Sequence, residues 1–491
     1  MQRMMVASYP VFHGRTASAS SLRAIRSTHA ILCLCLAVAG LVAAFGIIDA
    51  DEILDGAALV FALLAFWTLW SWYKLHATIF DPYGLFLLSS WMFNGGQVFL
   101  EVARLNSHGL LDGIFSSTTL LRTEFLVALA IFALHMGALW TCGAAGGPAD
   151  RQCPNAAAGS DLSWHTRWVG WFLFAISIGP ALWTFRESVR TVLNGGYMSL
   201  YQVRLATGLA TAPQLIANFL VPSAMFLLAG SKGRRTGVAL SAAIIFSYVA
   251  GTFFLGGRAA ASTALIGYLW LYSRTVRRIR VRTLVLPGLA IAFVVFPLVR
   301  AVREVRGTDR TSLEFTRSAW SSVDNPVVMI VSEVGNSMGT VAYTLDLVPT
   351  IRPYDGGVSY VYALLAVVPN LFWDVHPTTA HGTMSVWLVK TVQPGTAAVG
   401  GGLGYSYIAE AYANFGFTMG PLAIMILGAI AGKLSSSVLR APNQAVLAMA
   451  ATGISYAMIY ARAETGDFMR GVVWYALAPY LLVRFLSGVR R

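Results

Sequence analysis

Residues 400–434 read GGGLGYSYIAEAYANFGFTMGPLAIMILGAIAGKL, and the two halves of this stretch ask for different surroundings. From Phe417 to Leu434 the only charge is Lys433, near the end. A helix of that length rises about 27 Å, close to the ~30 Å hydrocarbon core of a bilayer. From Gly400 to Gly416 the reading changes. Glycines precede a helix on which Ser406, Glu410 and Asn414 recur at every fourth residue and share one face. Ala409, Ala411 and Ala413 let a neighbouring helix approach closely. A carboxylate beside an apolar bundle is costly unless it is paired or used. Glu410 is therefore a candidate general base, since burial moves a carboxyl pKa towards neutrality. Its structural alternative is an ion pair or the cap of a neighbouring helix.

Working outward, comparable apolar runs occur along the whole chain. The expected spans are Ile31–Asp49, Gly56–Tyr73, Tyr83–Leu100, Phe125–Cys142, Trp168–Phe185, Gln214–Gly230, Gly237–Leu255, Ala259–Ser273, Thr283–Arg300, Phe417–Leu434, Gln444–Ala461 and Gly471–Ser487. The fold expected is an all-α, polytopic integral membrane bundle of about 12 transmembrane helices, one membrane domain over residues 1–491. Composition agrees. Charged residues are 12%, about half the share in a soluble domain, and the mean hydropathy is +0.64.

The net charge of +13 sits in clusters between apolar runs rather than on a soluble basic face, so nucleic acid is excluded as a partner and the lipid bilayer is the expected one. The clusters are Arg3, Arg15, Arg23 and Arg26; Lys232, Arg234 and Arg235; Arg274, Arg277, Arg278, Arg280 and Arg282; Lys433 and Arg440; and Arg490 and Arg491. With twelve spans all of them fall on one side, which the positive-inside rule makes the cytoplasm. Both termini are then cytoplasmic, with residues 1–30 a cytoplasmic tail. The first run resembles a signal peptide but is long enough to read as a retained helix. Asp49, Asp51, Glu52 and Asp55 open the far side. Two far-side segments exceed ordinary connections: residues 186–213, and residues 301–416 between the ninth and tenth spans. The larger holds helix-like stretches, Ser332–Leu347 and Leu403–Phe415, and a stretch Tyr360–Trp373 expected to be re-entrant or surface-lying. Such segments place the work outside the cytoplasm. No internal repeat of the two-halved transporter kind is visible.

Arginines form a second constellation. Arg258 follows Gly256 and Gly257 at the far-side end of the seventh span, where glycines let a ligand approach. Arg300, Arg303, Arg306 and Arg310 form one stripe if the ninth helix continues. Arginine grips phosphate oxygens through a planar fork and stays charged, and it would stabilise a departing pyrophosphate. Interfacial snorkelling is the alternative. Arg462, with Glu464, Asp467 and Arg470, lies in the last far-side loop and either completes a cleft or pairs locally. Glu333 is placed to orient an arginine. His376 and His381, near Pro377, can exchange protons near neutrality. Arg186, Arg190, Tyr197, Tyr201 and Arg204 read as an interfacial helix or as a guide for a glycan. Neither the four cysteines nor the histidines have metal-ligand spacing, and Asp49 and Asp51 read as charge balance, so no metal is expected. No P-loop or dinucleotide fingerprint is present, and no cofactor is expected.

The phrase GGLGYSYIAEAYANFGFTMGPLAIMILG resembles the late signature of the Wzy-type O-antigen and oligosaccharide repeat-unit polymerases. Gly256-Gly257-Arg258, the stretch from Ser332-Glu333 to Val348-Pro349, and Val368-Pro369 followed by an aromatic and Pro377 are similar as well. So are the span count and the large late periplasmic loop. The resemblance implies a glycosyltransferase of the bacterial inner membrane that moves a growing glycan from undecaprenyl pyrophosphate onto a new lipid-linked repeat unit at the periplasmic face. The product would be O-antigen, capsule or exopolysaccharide. It implies a chain-length regulator and a flippase as partners. On this reading Arg258, Arg300, Arg303 and Arg462 bind the pyrophosphate. Glu410, or after it His381, takes the acceptor proton, and Glu333, Ser406, Tyr412 and Asn414 position substrate. A related O-antigen ligase, and a lipid-linked oligosaccharide flippase or other transporter, remain alternatives.

Overall fold

The computed structural model describes residues 18–44, 49–142, 162–202, 211–299, 325–370, 373–440 and 443–489, and among these there is no strand. The first helices are α1 (Ala19–Ala44), α2 (Ala50–His76), α3 (Pro82–Val102), α4 (Ser117–Thr141), α5 (Ser163–Gly195), α6 (Ala212–Ala217), α7 (Leu220–Gly230), α8 (Arg235–Phe254), α9 (Ala259–Thr275) and α10 (Val281–Ala290). Short helices follow: α11 (Pro326–Gly335), α12 (Ser337–Leu347), α13 (Val358–Leu365), α14 (Pro377–His381), α15 (Met384–Val392) and α16 (Pro394–Ala398). The chain closes with α17 (Tyr407–Arg440), α18 (Gln444–Tyr460), α19 (Thr465–Gly471) and α20 (Ala478–Val489).

Among the described residues nine helices are long and apolar enough to cross a membrane, so the protein is a polytopic helical membrane protein. The other three expected spans fall on α3, α9 and α18. The last two have 17 residues each, and α3 carries Ser89, Ser90, Asn94 and Gln97 in its interior, all buried. The helix expected over Ser332–Leu347 is two, α11 and α12, joined at Asn336. The Tyr360–Trp373 stretch holds the short helix α13 with Val361 and Leu364 exposed.

Sequence sets the ends of these helices. Asp81 accepts from the amides of Tyr83 and Gly84 at 3.1 and 3.0 Å and precedes Pro82 at the first turn of α3. Arg26 of α1 reaches the end of α4, donating to the carbonyls of Leu139, Trp140 and Cys142 at 2.7, 3.2 and 2.8 Å. These are carbonyls that a helix end leaves without an intrahelical donor. Polar groups inside the bundle are paired the same way. The Trp67 indole donates to His29 Nδ1 at 3.2 Å, so His29 donates from Nε2 to the Phe132 carbonyl at 2.9 Å.

Packing centres on α4, which is almost wholly buried and is covered by α1, α2, α3 and α17. A second core joins α5, α7, α8, α9 and α18. On α17, Met419, Leu422, Ile426, Ile430 and Leu434 are exposed at helical spacing, as expected of a face whose solvent is hydrocarbon. The opposite face carries Gly420, Ile424, Gly428 and Gly432, all buried, with Gly428 and Gly432 against α4. A Cβ on Gly428 would overlap the Leu134 carbonyl, and one on Gly432 would meet Ala138 Cα at 2.7 Å. Helix contact at this range is the membrane form of tight packing. Gly428→Leu is expected to force α4 and α17 apart at a cost of about 3 kcal/mol. Ile426→Ala on the lipid face should cost less than about 1 kcal/mol. Thermal unfolding in detergent checks both, and equal losses would contradict this packing.

Candidate active site

The turn between α8 and α9 is built to present one arginine. The amide of Gly256 (φ 95°) donates to the Phe253 carbonyl at 2.9 Å, and that of Gly257 to the Thr252 carbonyl at 2.8 Å. This pair of bonds closes a helix with a left-handed glycine. Arg258 then begins α9, its own carbonyl accepting from Ser262 at 3.0 Å. The Arg258 side chain is buried, forms an ion pair with Glu333 of α11, and lies with its guanidinium carbon 5.8 Å from the centre of the Phe296 ring. Glu333 keeps 31% of its side chain exposed, so the pair opens to the surface on the carboxylate side.

Arg462 lies at the same end of the bundle. Helices α9 and α18 run antiparallel: Ser455 Oγ donates to the Thr263 carbonyl at 3.1 Å, and Gly267 faces Ala451. Continuing that register carries Arg258 and Arg462 to one end. The Arg462 guanidinium carbon is 5.4 Å from the ring centre of Phe93 on α3. One turn of α3 gathers the surroundings. Asn94 Nδ2 donates to the Ala461 carbonyl at 2.9 Å, and Asn94 Oδ1 accepts from Ser406 Oγ at 2.6 Å. Gln97 Nε2 donates to the carbonyl of Ser332, next to Glu333, at 3.2 Å. The polar residues that make α3 a poor span by hydropathy are therefore the ones that join the Arg258–Glu333 pair to the Gly404–Glu410 segment. Gly404 (φ 73°) carries this segment past Arg462, where a Cβ would stand 3.4 Å from the guanidinium Nη2.

Glu410 lies 1% exposed on the first turns of α17. Its Oε1 accepts from Ser359 Oγ at 2.9 Å, and its Oε2 accepts from the Thr465 amide at 2.8 Å and the Thr465 hydroxyl at 2.7 Å. Asn414 donates to Ser359 Oγ at 2.8 Å and accepts from the Gly357 amide at 2.9 Å. Tyr412 donates its hydroxyl to the Val348 carbonyl at 2.9 Å. Gly416 (φ 72°) breaks α17 just beyond. The break frees carbonyls of the preceding turn, and the amides of Asp355 and Gly356 donate to Ala413 and Asn414 at 3.0 and 3.1 Å. The shared face of Ser406, Glu410 and Asn414 is thus the seam on which α3, the 355–359 turn and the 464–465 turn meet.

A family model for the O-antigen polysaccharide polymerase Wzy matches residues 30–490, nearly the whole chain and all of the segments just described. The chain belongs to this family. No curated protein and no solved structure matches it significantly. The Wzy family polymerises O-antigen repeat units, acting on lipid-linked oligosaccharides in the membrane, and the many apolar helices make this member a multi-pass membrane protein. The match is to a polymerase family rather than to a ligase or flippase family.

The remaining expected residues of this Wzy polymerase separate by geometry. His381 ends α14, is exposed, and stacks on Tyr362 with ring centres 4.2 Å apart. Tyr362 lies one turn beyond Ser359 on α13. His376 is committed to capping: its Nδ1 accepts from the Thr378 amide at 3.2 Å while Nε2 faces the Val368 carbonyl at 3.0 Å. Glu464 accepts from the amides of Met384 and Ser385 at 3.1 and 2.6 Å, capping α15. Burial pushes its carboxyl above the usual range, and those amides pull it back. Asp467 and Arg470 pair with each other at 3.0 Å on the surface. Arg300 and Arg303, with Arg204, Arg306 and Arg310, lie outside the described residues. Sequence reading passed over Asn94, Ser359 and Thr465. A signal existed for Asn94, a polar NGGQ break inside an apolar run. None existed for Ser359 or Thr465, whose role comes from contacts 51 and 55 residues away.

Proposed function

We propose that this polymerase joins oligosaccharide repeat units carried on undecaprenyl pyrophosphate, at the periplasmic face of the bacterial inner membrane, and that α3, α9 and α18 complete twelve spans with both termini in the cytoplasm. The observation that carries the reading is the Arg258–Glu333 pair at the same end of the bundle as Arg462, the two linked through α3. The direction of α8 and α9 puts the clusters Lys232–Arg235 and Arg274–Arg282 at the opposite end, which favours a cytoplasmic assignment for that end. Arg258 and Arg462 hold the donor diphosphate at headgroup level, with Arg300 and Arg303 assigned to the same task from the sequence. The acceptor hydroxyl oxygen attacks the anomeric carbon of the donor glycan. The bond from that carbon to the phosphate oxygen breaks, and the carrier pyrophosphate leaves with the electron pair, its charge met by arginine.

Both oxygens of Glu410 are engaged within the protein, which favours a positioning role for it, shared with Ser406, Tyr412 and Asn414. His381, exposed and held flat on Tyr362, is the better placed group to receive the hydroxyl proton. The chain-length regulator and flippase belong to this reading as partners. Purified protein in lipid nanodiscs, supplied only with the lipid-linked repeat unit, is expected to give a ladder of longer glycans and free carrier pyrophosphate. Single units persisting unchanged, or glycan appearing only on a different acceptor lipid, would overturn it.

A further inference from the structure

Helix α5 has 33 residues, about 50 Å of helix against a ~30 Å hydrocarbon core. It packs antiparallel to α7, with Gly170 against Leu227 and Gly230 against Arg167. Its start, which carries Trp164, Trp168 and Trp171, is therefore the end away from Arg258, and its last dozen residues project past the membrane on the Arg258 side. There the chain caps on Gly196 (φ 81°) and turns back through a single 3-10 turn, Tyr197–Leu200. Between projecting helix and turn lies an open cleft of about 640 Å³, a volume in the range of small-molecule sites.

The lining is what distinguishes it. Glu187, Arg190, Thr191, Asn194, Ser199 and Gln202 supply an acid, a guanidinium, two amides and two hydroxyls. Tyr197 and Tyr201, on the turn that supplies Ser199 and Gln202 to the lining, meet each other edge to face, their hydroxyls 2.7 Å apart. A lipid tail would meet a lining of polar side chains and one glycine. A phosphate would find one arginine, already bonded to Glu187 at 3.2 Å. Amide and hydroxyl groups that both donate and accept, a carboxylate that accepts, and a turn that also carries two tyrosines fit a ligand whose surface alternates hydroxyls with C–H faces. That is an oligosaccharide.

The cleft is also tied to the reaction site. A Cβ on Gly400 (φ 78°) would overlap the Tyr201 carbonyl, and one on Gly401 would stand 2.9 Å from Met198 Cε. The turn thus rests on the glycine loop that continues to Gly404, Arg462 and Glu410. We propose that the cleft is a distal saccharide subsite, which holds sugars of the glycan several residues away from the bond being made. This rests on the polymerase reading above and adds to it where the chain is gripped.

The test uses the full-length protein in nanodiscs and the repeat-unit oligosaccharide released from its carrier by mild acid, which lacks any diphosphate. Titration calorimetry or ligand-observed NMR is expected to show binding that Asn194→Trp, which fills the cleft, weakens about tenfold. Gln202→Ala with Glu187→Ala should weaken it several-fold, while Leu182→Ala on the lipid-facing side of α5 should bind as wild type. The glycans made by the cleft variants should be about threefold shorter on average. Unchanged oligosaccharide affinity in both cleft variants would overturn the subsite. Failure of the wild type to lengthen lipid-linked units at all would instead overturn the polymerase reading, so the two failures are distinguishable.

Discussion

Arg258→Ala should insert and fold yet leave lipid-linked glycans as single units. A guanidinium facing a diphosphate leaving group contributes where charge develops, and losing one such donor lowers turnover by about 10²–10³. Arg258→Lys keeps the charge but loses the planar fork, so an intermediate loss of roughly tenfold is expected. The competing account is that Arg258 exists only to neutralise Glu333. That account predicts a stability effect instead. Because Glu333 keeps 31% of its side chain exposed, water can solvate the carboxylate left behind, and the folding cost of Arg258→Ala should stay at about 2 kcal/mol, below the ~3–5 kcal/mol of a fully buried pair. The charge-swapped protein, Arg258→Glu with Glu333→Arg, separates the two. If the pair is purely structural, the swap restores polymer. If Arg258 grips diphosphate, the swap restores thermal stability and not polymer, as read by glycan gels and unfolding curves on the same preparations.

Removing the Glu410 carboxylate should damage fold and activity together. Glu410→Ala leaves the Thr465 amide, the Thr465 hydroxyl and the Ser359 hydroxyl facing an empty buried space. Unmet buried donors cost about 1–3 kcal/mol each, with partial relief as hydroxyls rotate, so a net loss of roughly 3 kcal/mol is expected. Glu410→Gln should restore much of the stability, because its Oε1 can still accept from the Thr465 amide and hydroxyl while its N–H₂ donates to Ser359 Oγ, whose hydroxyl turns away. Glu410→Asp, which keeps the acceptor but shortens the reach, should rescue in part. A general base behaves differently: its loss slows turnover, removes the acidic limb of the pH profile and leaves unfolding where it was. Wild-type thermal stability in Glu410→Ala with turnover down a hundredfold would reassign the residue from positioning to proton transfer.

How far the sequence could be read differs between levels. Membrane architecture was legible because it depends on sums over about 20 residues. The break between the polar and apolar parts of residues 400–434 was legible too, since Gly416 separates a face of Ser406, Glu410 and Asn414 from a run with almost no charge. Arg258 stood out because two glycines announce a turn. Its pairing with Glu333 was anticipated only as a possibility for some arginine, since 75 positions separate them and nothing local encodes the meeting. α3 was counted as an ordinary span, and its Asn94 and Gln97 were missed. A polar side chain in a span is readable as unusual, but what it bonds depends on which helix the fold places beside it. Ser359 and Thr465 sit in the first turns of short helices that nothing in their own sequence marks as special, and their selection by one carboxylate is a tertiary fact.

The interruption of α17 at Gly416 has a bearing on biogenesis. The carbonyls it exposes, together with Glu410 and Asn414, are the docking points for the 355–359 turn, and Thr465 supplies the remaining bonds. All of them are translated after the segment they hold. The 325–370 stretch therefore leaves the ribosome without its mooring and acquires it only once the C-terminal helices emerge, so the proposed site is completed late in synthesis. Chains halted before Thr465 would carry most of the bundle and still lack the donors that hold Glu410.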